Sequence, residues 1–379
     1  MAKNIVILGG GTGGTMVANH LAKGLKHEIK KGEVKLTMIT NEAEHIYQPG
    51  WLFVAFGLQH PEHYIRKQRT ITHPSVNLVI AEATKIDKDK KVVHTNKGDF
   101  SYDYLVIGTG AVPRFDLIPG LKEAGDNFYS PEGTLKLREK LTNFKGGKIV
   151  ITLGMPHKCP VAPIEFYFMA HEFFEKKGIR DKVELVYTYP LETVHMAANV
   201  ATWVKPELEK RNIRYVTNFV PAKVDPQKKI LYSKDGKEES FDLLVSIPPH
   251  RGAKVIFDSG LGNEMGFIPV NQYTLKAVND NYIYVIGDAT ALQISKAGST
   301  AHYESEYVAK NIEQELHGQT PTNFYDGKVF CFIEAGLEEG TYINMDYNHP
   351  PNPVPQSAMI HWFKHAFNEM YWMTARGLL

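Results

Sequence analysis

The chain has 379 residues, two to three times the roughly 100–200 of a usual single domain, so at least two domains with a sizeable shared core are expected. With 43% hydrophobic residues, and 43 Lys+Arg against 42 Asp+Glu for a net charge of +1 without a basic block, it is neither a disordered tail nor a nucleic-acid binder. The opening Met1-Ala2-Lys3-Asn4 runs into a strand-like stretch with no secretory h-region, and nowhere do ~18 apolar residues follow one another, so a catalytic body kept in the cytoplasm is expected. The two cysteines, Cys159 and Cys331, are too few for a disulfide framework and leave chance or chemistry.

In chain order, Ile5-Val6-Ile7-Leu8 reads as a strand, Gly9 to Gly14 as a glycine turn and Thr15 to about Leu25 as a helix, followed by a strand at Val34 to Ile39. This is the first βαβ unit of a parallel, doubly wound nucleotide fold. Tyr104 to Gly110 is a further buried strand ending in glycine. A second α/β pattern starts at Lys148 to Leu153 and runs through helices near 164–177 and 200–211 and strands at 183–187 and 241–246. The chain then returns to the first domain at Tyr282 to Asp288. The expected fold is α/β, with two Rossmann-like domains and a C-terminal region carrying an amphipathic membrane-surface helix. The boundaries are 1–115 with 256–320 for the dinucleotide domain, 116–255 for a second, degenerate domain, and 321–379 for the C-terminal region.

Gly9, Gly11 and Gly14 occupy the three fingerprint positions: one for the tight turn, one for backbone approach to a pyrophosphate, one for close packing of helix on strand. The ribose-binding acid that usually ends the second strand is missing, since Thr40-Asn41 stand there. After Ile149 to Leu153, where a nicotinamide cofactor would need a second fingerprint, the chain reads Gly154-Met155-Pro156-His157-Lys158-Cys159-Pro160, so backbone approach to a second pyrophosphate is not expected. Pro160 is a favoured first residue of a helix. Cys159 beside it should then feel the helix dipole and the Lys158 charge, both of which favour thiolate. Cys331 lies in the strand-like Lys328 to Gly336, with Phe330 and Phe332 on the opposite face. No metal site is read from the sequence.

Three segments together resemble the two-dinucleotide-domain flavoproteins related to glutathione reductase: Gly9 to Gly14; Tyr104 to Gly110, with Gly108, Thr109 and Gly110 at its end; and Tyr282 to Asp288, ending in Gly287-Asp288. The resemblance implies FAD as the cofactor, with Asp288 on its ribityl chain. The Cys159 loop with Glu165, the Cys331 strand, Lys296-Ala297-Gly298 and the ending from Trp362 to Gly377 narrow it to a likeness to sulfide:quinone oxidoreductases over essentially the whole chain. That likeness implies a redox pair of Cys331 on the flavin side and Cys159 on the sulfur-carrying side. It also implies His195 near the sulfide site and Lys296 near the flavin, and it makes Phe332 with Phe367 or Phe363 candidates to sandwich a quinone. Glu165 either shuttles protons or is an ordinary first-turn helix carboxylate. The family's frequent third cysteine should fall near Ser130-Pro131-Glu132, where there is none, so FAD is expected to be non-covalent.

From Ala358 to Arg376, Met359, Phe363, Ala366, Phe367, Met370, Tyr371, Met373 and Thr374 recur at helical spacing with Trp362 and Trp372 beside them. Such a helix is too polar to span and suits the headgroup plane, with Lys364 and Arg376 facing anionic lipid. The activity expected is oxidation of sulfide to zero-valent sulfur with electron transfer to a membrane quinone, by a monotopic protein on the cytoplasmic side of the membrane whose oligomeric state is open. The alternatives are a flavocytochrome-type sulfide dehydrogenase serving a haem protein, and a non-catalytic flavin-based sulfide or redox sensor.

Overall fold

The computed structural model describes residues 2–378, so Met1 and Leu379, the outer limits of the expected domains, lie outside the described residues. Two five-stranded parallel sheets organise the chain. In the first the order is Ile283–Val285, Tyr104–Ile107, Lys3–Leu8, Val34–Thr40, Asn77–Ile80. In the second it is Gly125–Asp126, Leu243–Ile247, Gly147–Leu153, Val183–Thr188, Ile213–Val216. The near-continuous β-branched and aliphatic runs explain this choice, because strands covered by helices on both faces carry no polar alternation. Ile149, Val150, Ile151 and Leu153, for example, are fully buried.

Four helices place the site: α1 (Thr12–Gly24), α2 (Ala162–Lys176), α3 (Gly298–Leu316) and α4 (Ala358–Ala375). The first begins directly after the first strand and packs along α3. The loop from Gly154 to Val161 and then α2 follow the central strand of the second sheet, and an antiparallel hairpin, Val329–Glu334 with Gly340–Met345, leads into α4. Ser357 caps α4 by accepting from the Ile360 N–H, a standard N-terminal solution for orphan donors.

Helix α4 differs from expectation in which of its residues it buries. Its buried residues are Ile360, His361, Lys364, Asn368, Tyr371 and Ala375, a helical stripe that is mostly polar. Tyr371 bonds to His45 Nε2 at 2.6 Å and to Thr12 Oγ1 at 2.8 Å, and Asn19 Nδ2 donates to the Ala375 carbonyl at 2.7 Å. The helix is thus docked across α1 through its polar side, while Met359, Trp362, Phe363, Met370 and Met373 are exposed. Lys364 does not face lipid, because it is buried and paired with Glu165. Trp372 is half-buried: its indole N–H donates to the His63 carbonyl at 3.3 Å and Arg66 lies over its ring. No helix among the described residues is long and apolar enough to cross a membrane.

Candidate functional site

The glycine turn is built by contacts that only a missing Cβ permits. Gly9 has φ +112°, and a side chain there would run into the Gly108 carbonyl; one at Gly14 would overlap the Gly9 carbonyl. At Gly11, by contrast, a Cβ would meet nothing, so the turn is closed on the strand side and open on the other. Gly11 is also the N-cap of α1 and supplies no side-chain cap, which leaves backbone N–H groups free for an anion. Thr109 Oγ1 is buried without a hydrogen-bond partner among the described residues. An open cradle, an uncapped helix and an orphaned hydroxyl fit a dinucleotide pyrophosphate. Thr40 packs against Gly10, where a Cβ would collide with it, and its hydroxyl accepts from the Glu42 N–H at 3.4 Å. Thr40 and exposed Asn41 therefore edge the turn and are not part of the cavity wall.

The cavity runs from this turn to α4. Its volume is about 330 Å³, and its walls include Gly11, Gly108, Gly110, Gly287 and Asp288 at one end and Phe332, Lys364 and Phe367 at the other. Cys159 and Cys331, both free thiols, line it, as do Glu165 and Lys296. Phe330 and Phe332 lie on one face of their strand with ring centroids 4.8 Å apart, and Phe332 faces Phe367 at 5.7 Å. Phe363 is exposed and absent from the wall, one position round the helix from buried Lys364. Of the two aromatic partners expected for Phe332, Phe367 is therefore the one in place.

The Cys159 loop corrects the electrostatic expectation. The helix starts at Ala162, not at Pro160, and Cys159 takes a left-handed φ of 56° with its N–H donating to the Lys296 carbonyl at 3.1 Å. The Ala162 N–H does favour thiolate, but burial and the neighbouring Glu165 carboxyl outweigh it and push the Cys159 thiol up to about 12. Lys158 and Lys364 also pull toward thiolate, but less than burial and Glu165 oppose it; the Lys158 Nζ donates to Gln48 Oε1 at 2.5 Å and lies 3.9 Å from Asp288. Burial, then Cys159 and Glu165, raise Cys331 to about 12 as well. Burial thus favours the neutral form of both thiols.

The remaining residues separate into those on the wall and those behind it. The Lys296 Nζ donates to the Asp288 and Thr290 carbonyls at 2.9 and 2.8 Å, and burial lowers its pKa. His195 is buried and does not line the cavity. Its Nδ1 accepts from the Ala197 N–H at 3.0 Å, and burial depresses it to about 4 with His157 contributing. Ser130 caps the helix Pro131–Asn143 through the Gly133 N–H, so its hydroxyl already has a structural task. Sequence reasoning missed Lys364 as a site residue. Glu165 accepts from it and from the Glu334 N–H at 2.8 Å, and burial raises the Glu165 pKa against the opposing pull of that ammonium. Tyr129, Asn368 and Tyr371 on the wall were missed too. The signal for the α4 residues was the spacing 360, 364, 368, 371, 375, obscured by the stronger apolar row on the other face.

Residues 3–309 match the pyridine nucleotide-disulphide oxidoreductase family model. The chain belongs to that family, a family of FAD-binding flavoproteins. It is 24% identical to the mitochondrial sulfide:quinone oxidoreductase of Mus musculus over 92% of this chain and 80% of the relative. It is also 24% identical to a type II NADH:quinone oxidoreductase of Staphylococcus epidermidis, over 90% and 89%. The fold superimposes on the crystal structure of the sulfide:quinone oxidoreductase of Aquifex aeolicus with a TM-score of 0.87 at 24% identity, covering 99% of this chain and 92% of the other. A family of FAD-binding proteins is one in which a dinucleotide cradle of this kind is expected.

Proposed function

We propose that this protein oxidises sulfide to zero-valent sulfur and delivers the two electrons, through non-covalent FAD, to a quinone drawn from a membrane surface. The observation that carries this reading is one cavity that has a dinucleotide cradle at one end, two thiols on its wall and the Phe332–Phe367 pair at the other. When bound, FAD supplies reversible two-electron transfer between thiols and quinone. The chain's own residues do the rest. In the oxidised pair a Cys159–Cys331 disulfide is attacked by hydrosulfide: one S–S bond breaks, a new one forms in a persulfide on Cys159, and Cys331 leaves as the freed sulfur facing the flavin. Loss of two electrons and two protons from the persulfide and the Cys331 thiol restores the disulfide and releases the outer persulfide sulfur as zero-valent sulfur. The raised pKa of both thiols means that reduction of the pair takes up protons together with electrons, matching a quinone that needs two of each.

Lys296, anchored by two carbonyls, holds an amino group at the dinucleotide end of the cavity, where a cation stabilises a reduced, anionic ring. The Phe332 and Phe367 rings present an aromatic slot for a planar acceptor. His195 stands behind the wall, where His157 of the Cys159 loop is among the groups that act on it.

An NADH-oxidising reading follows from the Staphylococcus relative, and the loop after Leu153 argues against it. A Cβ at Gly154 would strike the Pro249 ring, and His157 is buried in the turn, so no open glycine cradle faces a second pyrophosphate. Sulfide is therefore expected to reduce the bound flavin, whereas NADH and NADPH leave it oxidised on the same timescale. Stopped-flow absorbance of the yellow protein against each reductant checks this, and bleaching by micromolar NADH at a rate comparable with sulfide would transfer the protein to the NADH-dependent class.

A further inference from the structure

A second donor set lies behind the cavity wall, on the seam between α4 and the hairpin. His361 and His365 stand one helical turn apart on the same face of α4, with ring centroids 4.5 Å from each other. Facing them is Glu334, the last residue of its strand. One ligating atom from each of the three residues falls within 4.8 Å of the others. Glu334 is fully buried; one carboxylate oxygen takes His361 Nδ1 at 2.9 Å, and the other has no partner among the described residues. A buried carboxylate oxygen left in this way is costly and calls for a cation or a donor.

The frame around the three residues is fixed before any ion arrives. Gly340 on the hairpin donates to the Ser357 carbonyl at 3.1 Å and accepts from the Ser357 N–H at 2.9 Å, and a Cβ at Gly340 would lie 3.1 Å from the His361 nitrogen. Backbone contact thus brings the start of α4 against the strand end, and only side-chain torsions must adjust. Charge points the same way: the two carboxylates of Glu165 and Glu334 outnumber the one ammonium of Lys364 in this buried group, which leaves negative charge for a cation to offset.

We propose that Glu334, His361 and His365 form a divalent-metal site of the zinc type, with two imidazoles and one carboxylate as ligands and a fourth position open to water. This donor set and number match tetrahedral zinc, whose N and O ligands stand at about 2.0–2.2 Å. Binding replaces the His361–Glu334 hydrogen bond and gives the orphaned oxygen its partner. It clamps α4 to the hairpin, and with it the two elements that carry Phe367 and Phe332.

The test is equilibrium dialysis of the full-length, flavin-loaded protein against Zn²⁺ after chelator treatment, with bound metal measured per chain. It is run in the Cys159→Ser/Cys331→Ser background so that thiols contribute nothing. One Zn²⁺ per chain is expected, with affinity falling about 100-fold or more in His361→Ala and in His365→Ala, beyond the 10–100-fold typical of an outer partner. His365 is only half-buried, so its variant should remain folded, and retained flavin colour and melting temperature verify this. Absence of bound zinc, retention undiminished by both histidine changes, or binding seen only when the cysteines are present would each overturn the site.

Discussion

Cys159→Ser and Cys331→Ser should each lower sulfide-dependent quinone reduction by about 10³-fold or more while leaving the protein yellow. The scale follows from residues that act as one unit, where removing either member removes the route. Both sulfurs border the same cavity, and the elements that cradle the dinucleotide, the Gly9–Gly14 turn and Gly287-Asp288, do not include either thiol. Serine is close in size to cysteine and sits on a wall that already carries polar groups, so flavin content and melting temperature should change little. Steady-state assays with sulfide and a short-chain quinone measure the loss. A single-cysteine variant that keeps near wild-type turnover, with its flavin bound, would falsify the disulfide chemistry.

The outward face of α4 should govern where the enzyme works. Trp362 and Phe363 are 67% and 54% exposed, next to Met359, Met370 and Met373, and form an apolar row backed by the cavity-lining Phe367. Each large apolar side chain gains about 1.5–3 kcal/mol on leaving water. Trp362→Glu with Phe363→Glu should therefore weaken binding to anionic liposomes by about 10²-fold or more, at 1.4 kcal/mol per tenfold. It should also slow reduction of long-tailed quinone, while sulfide still bleaches the flavin. Liposome flotation with matched flavin assays reads both effects; undiminished binding would place the membrane surface elsewhere. Deleting the helix from Ala358 onward does not test this point. Lys364, Asn368 and Tyr371 would go with it, leaving Glu165 without its ammonium and opening the cavity.

The two βαβ patterns were legible because buried parallel strands announce themselves as short β-branched runs and a phosphate turn needs its glycines, as Gly9 and Gly14 show by the contacts a Cβ would make. The cavity wall was partly legible. Cys159, Cys331, Glu165, Lys296, Asp288, Phe332 and Phe367 all border it, although they come from four separate stretches of chain. The thiol electrostatics were not, because burial is a property of the assembled molecule: Lys158 beside Cys159 does pull toward thiolate, but the fold buries the sulfur and sets Glu165 near it, and those two effects outweigh the lysine. Helix α4 inverted the usual rule. Its buried stripe is polar and its exposed row apolar, so hydrophobic periodicity located the helix but assigned Lys364, Tyr371 and Trp372 to the wrong surroundings. The Glu334–His361–His365 cluster was hidden for another reason, since Glu334 meets the histidines only when the hairpin folds back on the helix.

The most direct measurement is an anaerobic titration of the purified yellow protein with sulfide, followed by a short-chain quinone. Sulfide should bleach the flavin stoichiometrically, quinone should restore the oxidised spectrum, and zero-valent sulfur should be the product. A flavin that stays oxidised under excess sulfide, or one that sulfide bleaches and quinone does not restore, would contradict this chemistry.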